Sequence, residues 1–594
     1  MYIKMTKFQL NYYKPKKVAL EVLSEQNSES YQPFDMDSFQ LYHPIYKLFF
    51  ELNDTNFNTV ALNHRYHMTD LNTIWDVNES QNTTRNIFLK FAPLLDPVRY
   101  LIGKYKTHEN LRVMPTFANT THDKFTSIHN SSYIDNFFCY LSNQMLHTHS
   151  FLHGIEYYGS YMGVQKKFKI NLADDMDYLI QSEYFNENRG KIFEVENSDN
   201  PFQNFGSRTN KDKLSIHNSL DINIEELELD IIEDVLVIES SDIVEKETEE
   251  CIYEKESVVS SDDSSNNSEL NYSSDDGEGE EESEDEKDED EKDDDEKDDD
   301  EKDVDEDEDE DDEDDEEDDD DEEEDDEEED DEEEDDDESE EEDEVPMNAY
   351  IYDFPVQMIC LEKCVGTLDY LFMKRKLDME QSASALFQII MTLMAYQKAF
   401  KFTHNDLHTN NVMYVETDEP YLYYKAENQL FKVPTYGRIF KLIDFGRAIY
   451  RFQGKILCSD SFAPGGDAST QYNCEPFLNE TKPRLDPNLS FDLCRLGCSI
   501  YDFILDPEEE PTDTDLLQDL IIDWVTDDNG KNILYKKNGD ERYPNFKLYK
   551  MIARTVHEKT PGDQLDKPLF SDFHIKTFTE GTKYMDIDEL PSYI

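Results

Sequence analysis

Two short patterns in the second half of the chain constrain its fold more than any other feature of its 594 residues. The first runs from His404 to Asn411, has the form H-x-D-x-x-x-x-N, and contains Asp406. The second is an Asp-Phe-Gly triplet that begins at Asp444, directly after an apolar stretch. An amphipathic pattern over residues 380–401 predicts a long helix that leads into the first pattern. The sequence therefore predicts a polar loop between a helix and a strand, with two carboxylates and an amide in a fixed order.

These residue types suit chemistry on a phosphate ester. Asp406 can accept the proton of an attacking hydroxyl group. Asp444 and Asn411 offer oxygen ligands of the kind that Mg²⁺ uses when it bridges nucleotide phosphates. An ordinary Asn- and Asp-rich turn is the alternative interpretation of the first pattern alone. The Asp-Phe-Gly triplet and the helix that precedes the loop favour the catalytic interpretation.

In these patterns and two others, the chain resembles the eukaryotic-type protein kinase superfamily. Residues 358–364 resemble the hinge that contacts adenine, and residues 491–501 resemble the buried helix whose aspartate braces the catalytic loop. The segment between Asn411 and Asp444 is similar to the hairpin insert of haspin-type kinases. The whole is similar to the divergent kinases of giant DNA viruses of the mimivirus type. The resemblance covers residues 347–505 well and residues 86–162 more weakly.

The resemblance implies ATP and Mg²⁺ as cofactors. It implies Asp406 as the catalytic base, Lys90, Glu362 and Cys364 as ATP-binding residues, Asn411 and Asp444 as metal ligands, and His404, Phe445, Gly446 and Asp492 as structural support. Phe88 departs from the family, because a small residue usually stands two positions before the lysine. The helix predicted over residues 133–146 offers only Asp135 or Gln144 where the family has a glutamate partner for Lys90. No G-x-G-x-x-G precedes Lys90, since residues 1–102 contain no glycine.

The resemblance implies an α+β fold with two lobes, a small β-rich one and a larger helical one. The predicted units are residues 1–164 as the small lobe, 165–240 as a partly ordered insertion, 241–346 as an acidic disordered insertion, and 347–594 as the hinge and large lobe. Alternation and periodicity predict strands at 49–63, 73–77, 86–92, 151–162, 227–239 and 356–362, and helices at 133–146, 172–184, 366–372, 380–401, 515–525 and 543–557.

The negative charge of the chain is concentrated in one segment. Residues 275–344 contain about 61 acidic residues and about four lysines, so they carry roughly 57 of the 86 formal negative charges. Such a run repels itself and has little apolar surface to bury, which predicts disorder. It favours basic proteins as partners or serves as a solvating spacer, and it argues against direct binding of nucleic acid.

The cysteines and the hydropathy pattern indicate an intracellular protein. The eight cysteines are scattered without a C-x-x-C pair, which favours buried free thiols in a reducing compartment. No signal-peptide pattern opens the chain and no apolar run is long enough to span a membrane. For a viral protein, the expected locations are the host cytoplasm, the viral factory or the virion.

Three functions agree with the sequence. The first is an ATP- and Mg²⁺-dependent protein kinase that phosphorylates Ser or Thr, with Tyr as an open alternative. The second is a pseudokinase scaffold that recruits basic partners through the acidic segment, since the glycine-rich loop and the helix glutamate are missing. The third is a small-molecule kinase, because residues 404–408 are also similar to the loop of aminoglycoside and choline kinases.

Overall fold

The computed structural model describes residues 8–15, 18–108, 110–117, 121–172, 175–196, 347–506, 511–544 and 546–594. These residues form a mixture of helices and several sheets, so the predicted α+β class is confirmed. The predicted acidic insertion at 241–346 and the strand predicted at 227–239 lie outside the described residues.

The elements before residue 197 are strands β1 (Tyr12–Tyr13), β2 (Met36–Gln40), β3 (Ala61–Leu62), β4 (Tyr66–Asp70), β5 (Thr73–Asp76), β6 (Gln81–Thr84), β7 (Ile87–Pro93), β8 (Tyr157–Asn171) and β9 (Phe193–Val195), and helices α1 (Leu20–Gln26), α2 (Pro97–Leu101), α3 (Asp123–Thr126), α4 (Ser131–His149), α5 (Met176–Leu179) and α6 (Glu183–Asn188). The elements after residue 346 are strands β10 (Asn348–Glu362), β11 (Gly366–Thr367), β12 (Val412–Glu416), β13 (Tyr421–Ala426), β14 (Gln429–Pro434), β15 (Arg438–Leu442), β16 (Ile449–Phe452), β17 (Lys455–Cys458), β18 (His574–Ile575) and β19 (Met585–Asp586), and helices α7 (Leu368–Met373), α8 (Met379–Phe400), α9 (Phe491–Ile504), α10 (Leu516–Trp524) and α11 (Lys547–Thr555).

A five-stranded sheet joins the chain on both sides of the acidic segment. Its order is β2, β8, β10 and β7, with β9 beside β10, and β10 pairs antiparallel with β7, β8 and β9. Side chains alternate between the faces of a strand, so Met358 and Cys360 enter one apolar cluster while Ile359 and Leu361 enter the other. Because β10 is buried on both faces, it is a central strand that fixes the register of β7.

Helix α4 packs in the apolar core on the face of the sheet that receives Ile359. The Asn130 side chain caps the helix by accepting a hydrogen bond from the Ser132 N–H at 3.0 Å. The helix predicted at 133–146 and the strand predicted at 86–92 are confirmed. The strand predicted from residue 151 begins only at β8, because residues 151–156 turn tightly around Gly154, where a Cβ would lie 2.4 Å from the Ser142 oxygen. Strand β8 then crosses the boundary predicted at residue 164, so residues 165–171 belong to this sheet.

Helix α8 and the paired strands β12 and β15 frame the polar loop. Asp378 caps α8 by accepting from the Gln381 N–H at 2.8 Å, and the helix ends at Phe400, before Lys401, whose φ is 50°. Val412 pairs with Leu442 across β12 and β15, so the loop ends beside the strand that leads to Asp444. The hairpin β13–β14 extends from this region and pairs with β18 and β19 near the end of the chain.

The strand predicted at 49–63 is wrong except for β3. The Asn53 side chain accepts from the N–H groups of Thr55 and Asn56, and this local bonding holds a turn instead of an extended strand. The helix predicted at 172–184 is two short helices, α5 and α6. Every cysteine among the described residues has a free thiol. None of the helices in the described ranges combines the length and the apolar character needed to cross a membrane.

Candidate active site

Lys90 joins three elements of the fold. Its ammonium group on β7 lies 2.8 Å from Asp135 Oδ2 on α4 and 2.9 Å from Asp444 Oδ1 after β15. Burial would lower the pKa of Lys90, but the two carboxylates outweigh it and raise the pKa above its ordinary value. Lys90 therefore remains charged and links the sheet, the helix and the Asp-Phe-Gly triplet.

Asp135 is the partner that the structure assigns to Lys90 from α4. Its other oxygen, Oδ1, accepts from the Phe445 N–H at 2.9 Å. The Phe445 ring packs 4.7 Å from the Phe138 ring of the same helix and 5.6 Å from the His404 ring, measured between centroids. Asp135 thus holds the backbone of the Asp-Phe-Gly triplet, and Phe138 packs against the Phe445 side chain.

Asp406 lies in the same loop as the amide that is predicted to bind metal. The Asn411 Nδ2 group donates to the Asp406 carbonyl at 2.9 Å and contacts His408 Nε2 at 3.1 Å. These contacts use the amide nitrogen, so the Asn411 oxygen faces the opposite way. Burial lowers the pKa of His408 to about 4, so the His408 ring is neutral near pH 7 and accepts this hydrogen bond.

The carboxylate of Asp406 is almost fully buried, with 3% of the residue exposed. Burial opposes its ionisation, but the positive charge of Arg447, whose Nη1 lies 3.8 Å from Oδ1, holds the pKa of Asp406 well below its usual range. Asp406 is therefore ionised.

Asp492 fixes the backbone of the loop through both of its carboxylate oxygens. Its two oxygens accept from the N–H groups of His404 and Asn405, each at 2.9 Å. His404 Nε2 in turn donates to the Ile443 carbonyl at 2.9 Å. Asn405 and Asp444 both have positive φ, 64° and 61°, a conformation that costs free energy for residues other than glycine and is concentrated at functional sites.

The segment predicted as the hinge follows β10. The Glu362 carboxylate pairs with the buried Lys441 ammonium group, and the Glu362 N–H donates to the Glu156 carbonyl at 3.1 Å. The side chain and N–H of Glu362 are therefore engaged within the protein. Cys364 is half-buried, and its N–H makes no hydrogen bond to another described residue, which leaves this group available to an adenine ring.

Two large apolar side chains, Phe88 and Met413, stay outside the apolar clusters of the described residues. Phe88 on β7 stands opposite Leu361 of β10 in the register, and Met413 lies on β12. Both are half-buried, and neither packs in the two apolar clusters of the described residues. Phe88 thus lies beside the segment that was predicted as the hinge.

The residues present fit a divalent cation with nucleotide phosphates as additional ligands. Asp444 supplies a carboxylate and Asn411 an amide oxygen, the hard ligands that Mg²⁺ prefers. The described residues contain no group of three or more His, Cys, Asp and Glu side chains that could hold a metal ion alone.

Sequence reasoning missed two residues that contact this site and one that contacts the start of the helix beside it. Arg447, which faces Asp406, directly follows the Asp-Phe-Gly triplet and could have been found from that position. Tyr549 donates a hydrogen bond to Asp406 Oδ1 at 2.8 Å from 143 positions away. Asp460 contacts the start of α4, where it accepts from the Ser131 N–H at 3.1 Å. The last two had no local signal, because long-range contacts bring them to the site.

Models of known protein families give no match to this sequence, and curated proteins give none either.

Proposed function

We propose that the chain is an ATP- and Mg²⁺-dependent protein kinase that transfers the γ-phosphate to a Ser or Thr hydroxyl group. The observation that carries the proposal is the position of Lys90, between the carboxylates of Asp135 and Asp444. A lysine held in this way can neutralise nucleotide phosphates while the neighbouring aspartate binds the metal. The five-stranded sheet with α4 would then correspond to a small lobe and the region after β10 to a larger one.

The chain's own residues would share the work of phosphoryl transfer. The Cys364 N–H would contact adenine, and Lys90 would contact the α- and β-phosphates. Asp444 and Asn411 would hold Mg²⁺, which supplies charge neutralisation at the phosphates when it is bound. Asp406 would orient the acceptor hydroxyl group and accept its proton. Basic proteins are the proposed substrates, because the acidic segment would attract them.

A catalytically inactive scaffold is the second candidate, and one observation favours it. Asp406 is almost fully buried and its Oδ1 already accepts a hydrogen bond from Tyr549. If Tyr549 and the surrounding side chains keep Asp406 away from an acceptor hydroxyl group, the chain would bind partners without transferring phosphate.

Transfer of labelled phosphate from ATP tests the proposal. The full chain would be assayed with Mg²⁺ on a mixture of basic proteins, together with Asp406→Asn and Asp444→Asn. Asp523→Asn on α10 is a matched control, because it removes ion pairs with Lys559 and Lys567 away from the site. We expect transfer in the wild type and the control and none in the two site variants.

Two other outcomes would point elsewhere. If the full chain transfers no phosphate and its thermal unfolding is unchanged by ATP and Mg²⁺, the protein is a scaffold. If ATP and Mg²⁺ raise the unfolding temperature without transfer to any protein, a small-molecule acceptor becomes the better interpretation.

A further inference from the structure

A chain of hydrogen bonds reaches Asp406 from two helices of the region after β10. The Nε atom of Arg495 on α9 lies 3.0 Å from the hydroxyl oxygen of Tyr549 on α11. The same hydroxyl oxygen lies 2.8 Å from Asp406 Oδ1. Arg495 is fully buried and Tyr549 is 5% exposed. The contacts therefore form inside the protein, where hydrogen bonds to charged groups are strong.

The direction of these hydrogen bonds is fixed by chemistry. An arginine side chain can only donate, so Arg495 Nε–H donates to the Tyr549 oxygen. A phenol has one proton, and Asp406 as a carboxylate can only accept, so the Tyr549 O–H donates to Asp406 Oδ1. Tyr549 thus accepts from Arg495 and donates to Asp406, and this chain of hydrogen bonds orients the Asp406 carboxylate.

Helix α9 supports both the backbone and the side chain of the loop. Asp492 and Arg495 are three positions apart on α9 and so lie on one face of the helix. Asp492 holds the N–H groups of His404 and Asn405, while Arg495 acts on Asp406 through Tyr549. One rigid helix therefore sets where the loop lies and how its carboxylate is turned.

The surroundings of Tyr549 keep its hydroxyl group in place. Its ring stacks on Phe546 at a centroid distance of 5.3 Å, and the Arg495 guanidinium lies 5.2 Å from the ring centroid. The two terminal nitrogens of Arg495 make no hydrogen bond to any described group. Burying a cation that makes one hydrogen bond costs free energy of folding. We therefore infer that the contact between Arg495 and Tyr549 does more than fill the core.

We propose that Tyr549 and Arg495 are positioning residues that orient the Asp406 carboxylate for phosphoryl transfer. This inference rests on the proposed function. In the step concerned, the acceptor oxygen forms a bond to the γ-phosphorus while the bond from that phosphorus to the β,γ-bridging oxygen breaks. The electron pair of the broken bond stays with the ADP that leaves, and the acceptor proton passes to Asp406. A carboxylate free to rotate would meet that proton less often in the required geometry.

Tyr549→Phe in the full chain tests the proposal, because it removes only the hydroxyl group and keeps the ring. We expect kcat to fall about tenfold, since general base catalysis contributes a factor larger than this and is only weakened here. KM for ATP and for the acceptor should stay within about twofold, because ground-state binding is unchanged. Tyr535→Phe is the matched control, since the Tyr535 hydroxyl donates to Asp502 Oδ1 at 2.9 Å outside the site. Its kcat should equal that of the wild type.

A spectroscopic measurement checks the contact without relying on activity. 3-Fluorotyrosine placed at position 549 gives one ¹⁹F resonance, which should shift when Asp406→Asn is added. The proposal is overturned if Tyr549→Phe is as active as the wild type or more active, because the phenol would then be neutral or would block the base. It is equally overturned if KM rises instead, or if the ¹⁹F resonance ignores Asp406→Asn. If the full chain transfers no phosphate, the proposed function fails, and the ¹⁹F result still reports separately whether the contact exists.

Discussion

Asp135 Oδ2 lies 2.8 Å from Lys90 Nζ, and Asp135 Oδ1 lies 2.9 Å from the Phe445 nitrogen. One carboxylate thus holds both the lysine of the sheet and the backbone of the Asp-Phe-Gly triplet. A glutamate has one more methylene group than an aspartate, and that group would have to fit into a site where Asp135 is only 2% exposed. The shorter acid is therefore matched to a helix that lies close to the lysine.

Asp135→Asn should lower both stability and phosphate transfer. Asparagine can still accept from the Phe445 N–H, but Lys90 loses one of two counter-charges in a largely buried site. Removing one partner of a buried ion pair is strongly destabilising, and because Asp444 remains, we expect a loss of about 2 kcal/mol in the free energy of unfolding. Urea unfolding and the transfer assay measure the two effects.

The Asp523→Asn variant again serves as the control for this prediction. It should lose some stability without losing transfer. A double-mutant cycle with Lys90→Gln isolates the pair, and a coupling free energy near zero between positions 90 and 135 would show that the ion pair is not what Asp135 contributes.

The sequence predicted the acidic and amide groups of the site but not all of their partners. Asp406, Asn411 and Asp444 were found because their spacing is local. For Lys90 the choice remained between Asp135 and Gln144, which lie nine positions apart and so on opposite sides of a helix. The rotation of α4 against the sheet decides between them, and packing sets that rotation. Gln144 instead donates to the Asn63 carbonyl at 3.1 Å.

Asp460 should be required for the position of α4. Its carboxylate accepts from the Ser131 N–H at 3.1 Å, and Ser131 lies one helical turn before Asp135. The same carboxylate pairs with Lys124 at 2.8 Å. Asp460→Asn removes a negative charge from the helix N-terminus, which should cost about 1 kcal/mol of stability. Transfer should fall as well, because Asp135 moves with the helix.

Lys124→Gln is the informative companion variant, because it removes the ion pair and leaves Asp460 at the helix N-terminus. We expect it to retain most of the transfer. Since Asp460 provides a permanent negative charge here, phosphatase treatment of the protein should leave the transfer rate unchanged. A rate that falls on such treatment would show that phosphorylation, and not Asp460 alone, sets the position of α4.

The acidic segment should accelerate phosphorylation of basic proteins. Replacing residues 275–344 with a Gly/Ser segment of equal length keeps the connection and removes roughly 57 negative charges. Electrostatic attraction raises association rates by about tenfold or more at low salt, so kcat/KM for a basic protein should fall by that order. An uncharged peptide substrate should be unaffected.

Salt provides the second test of this prediction. Screening acts over about 10 Å at 0.1 M ionic strength, so the difference between the two proteins should disappear as salt is raised. Equal rates for both proteins on the basic substrate at low salt would identify the segment as a spacer.

His153 should make stability depend on pH between pH 7 and pH 5. It lies in the segment that connects α4 to β8 and is fully buried, with Nδ1 2.7 Å from the Phe440 carbonyl and Nε2 2.7 Å from the Tyr424 hydroxyl oxygen. Burial lowers its pKa from 6.5 to about 4, against the opposing effect of the Phe440 carbonyl. Nδ1–H therefore donates to Phe440 and the neutral Nε2 accepts from Tyr424.

The sign of the effect follows from proton uptake. Between the folded pKa of about 4 and the unfolded pKa of 6.5, the unfolded chain binds more protons at His153, so its contribution to stability falls as the pH falls. From pH 7 to pH 5 this loss is about 2 kcal/mol for one histidine. His153→Gln retains a donor for Phe440 and an acceptor for Tyr424 but does not titrate. Urea unfolding of both proteins at the two pH values should show the variant losing about 2 kcal/mol less, and equal losses would mean that His153 is already protonated in the folded protein.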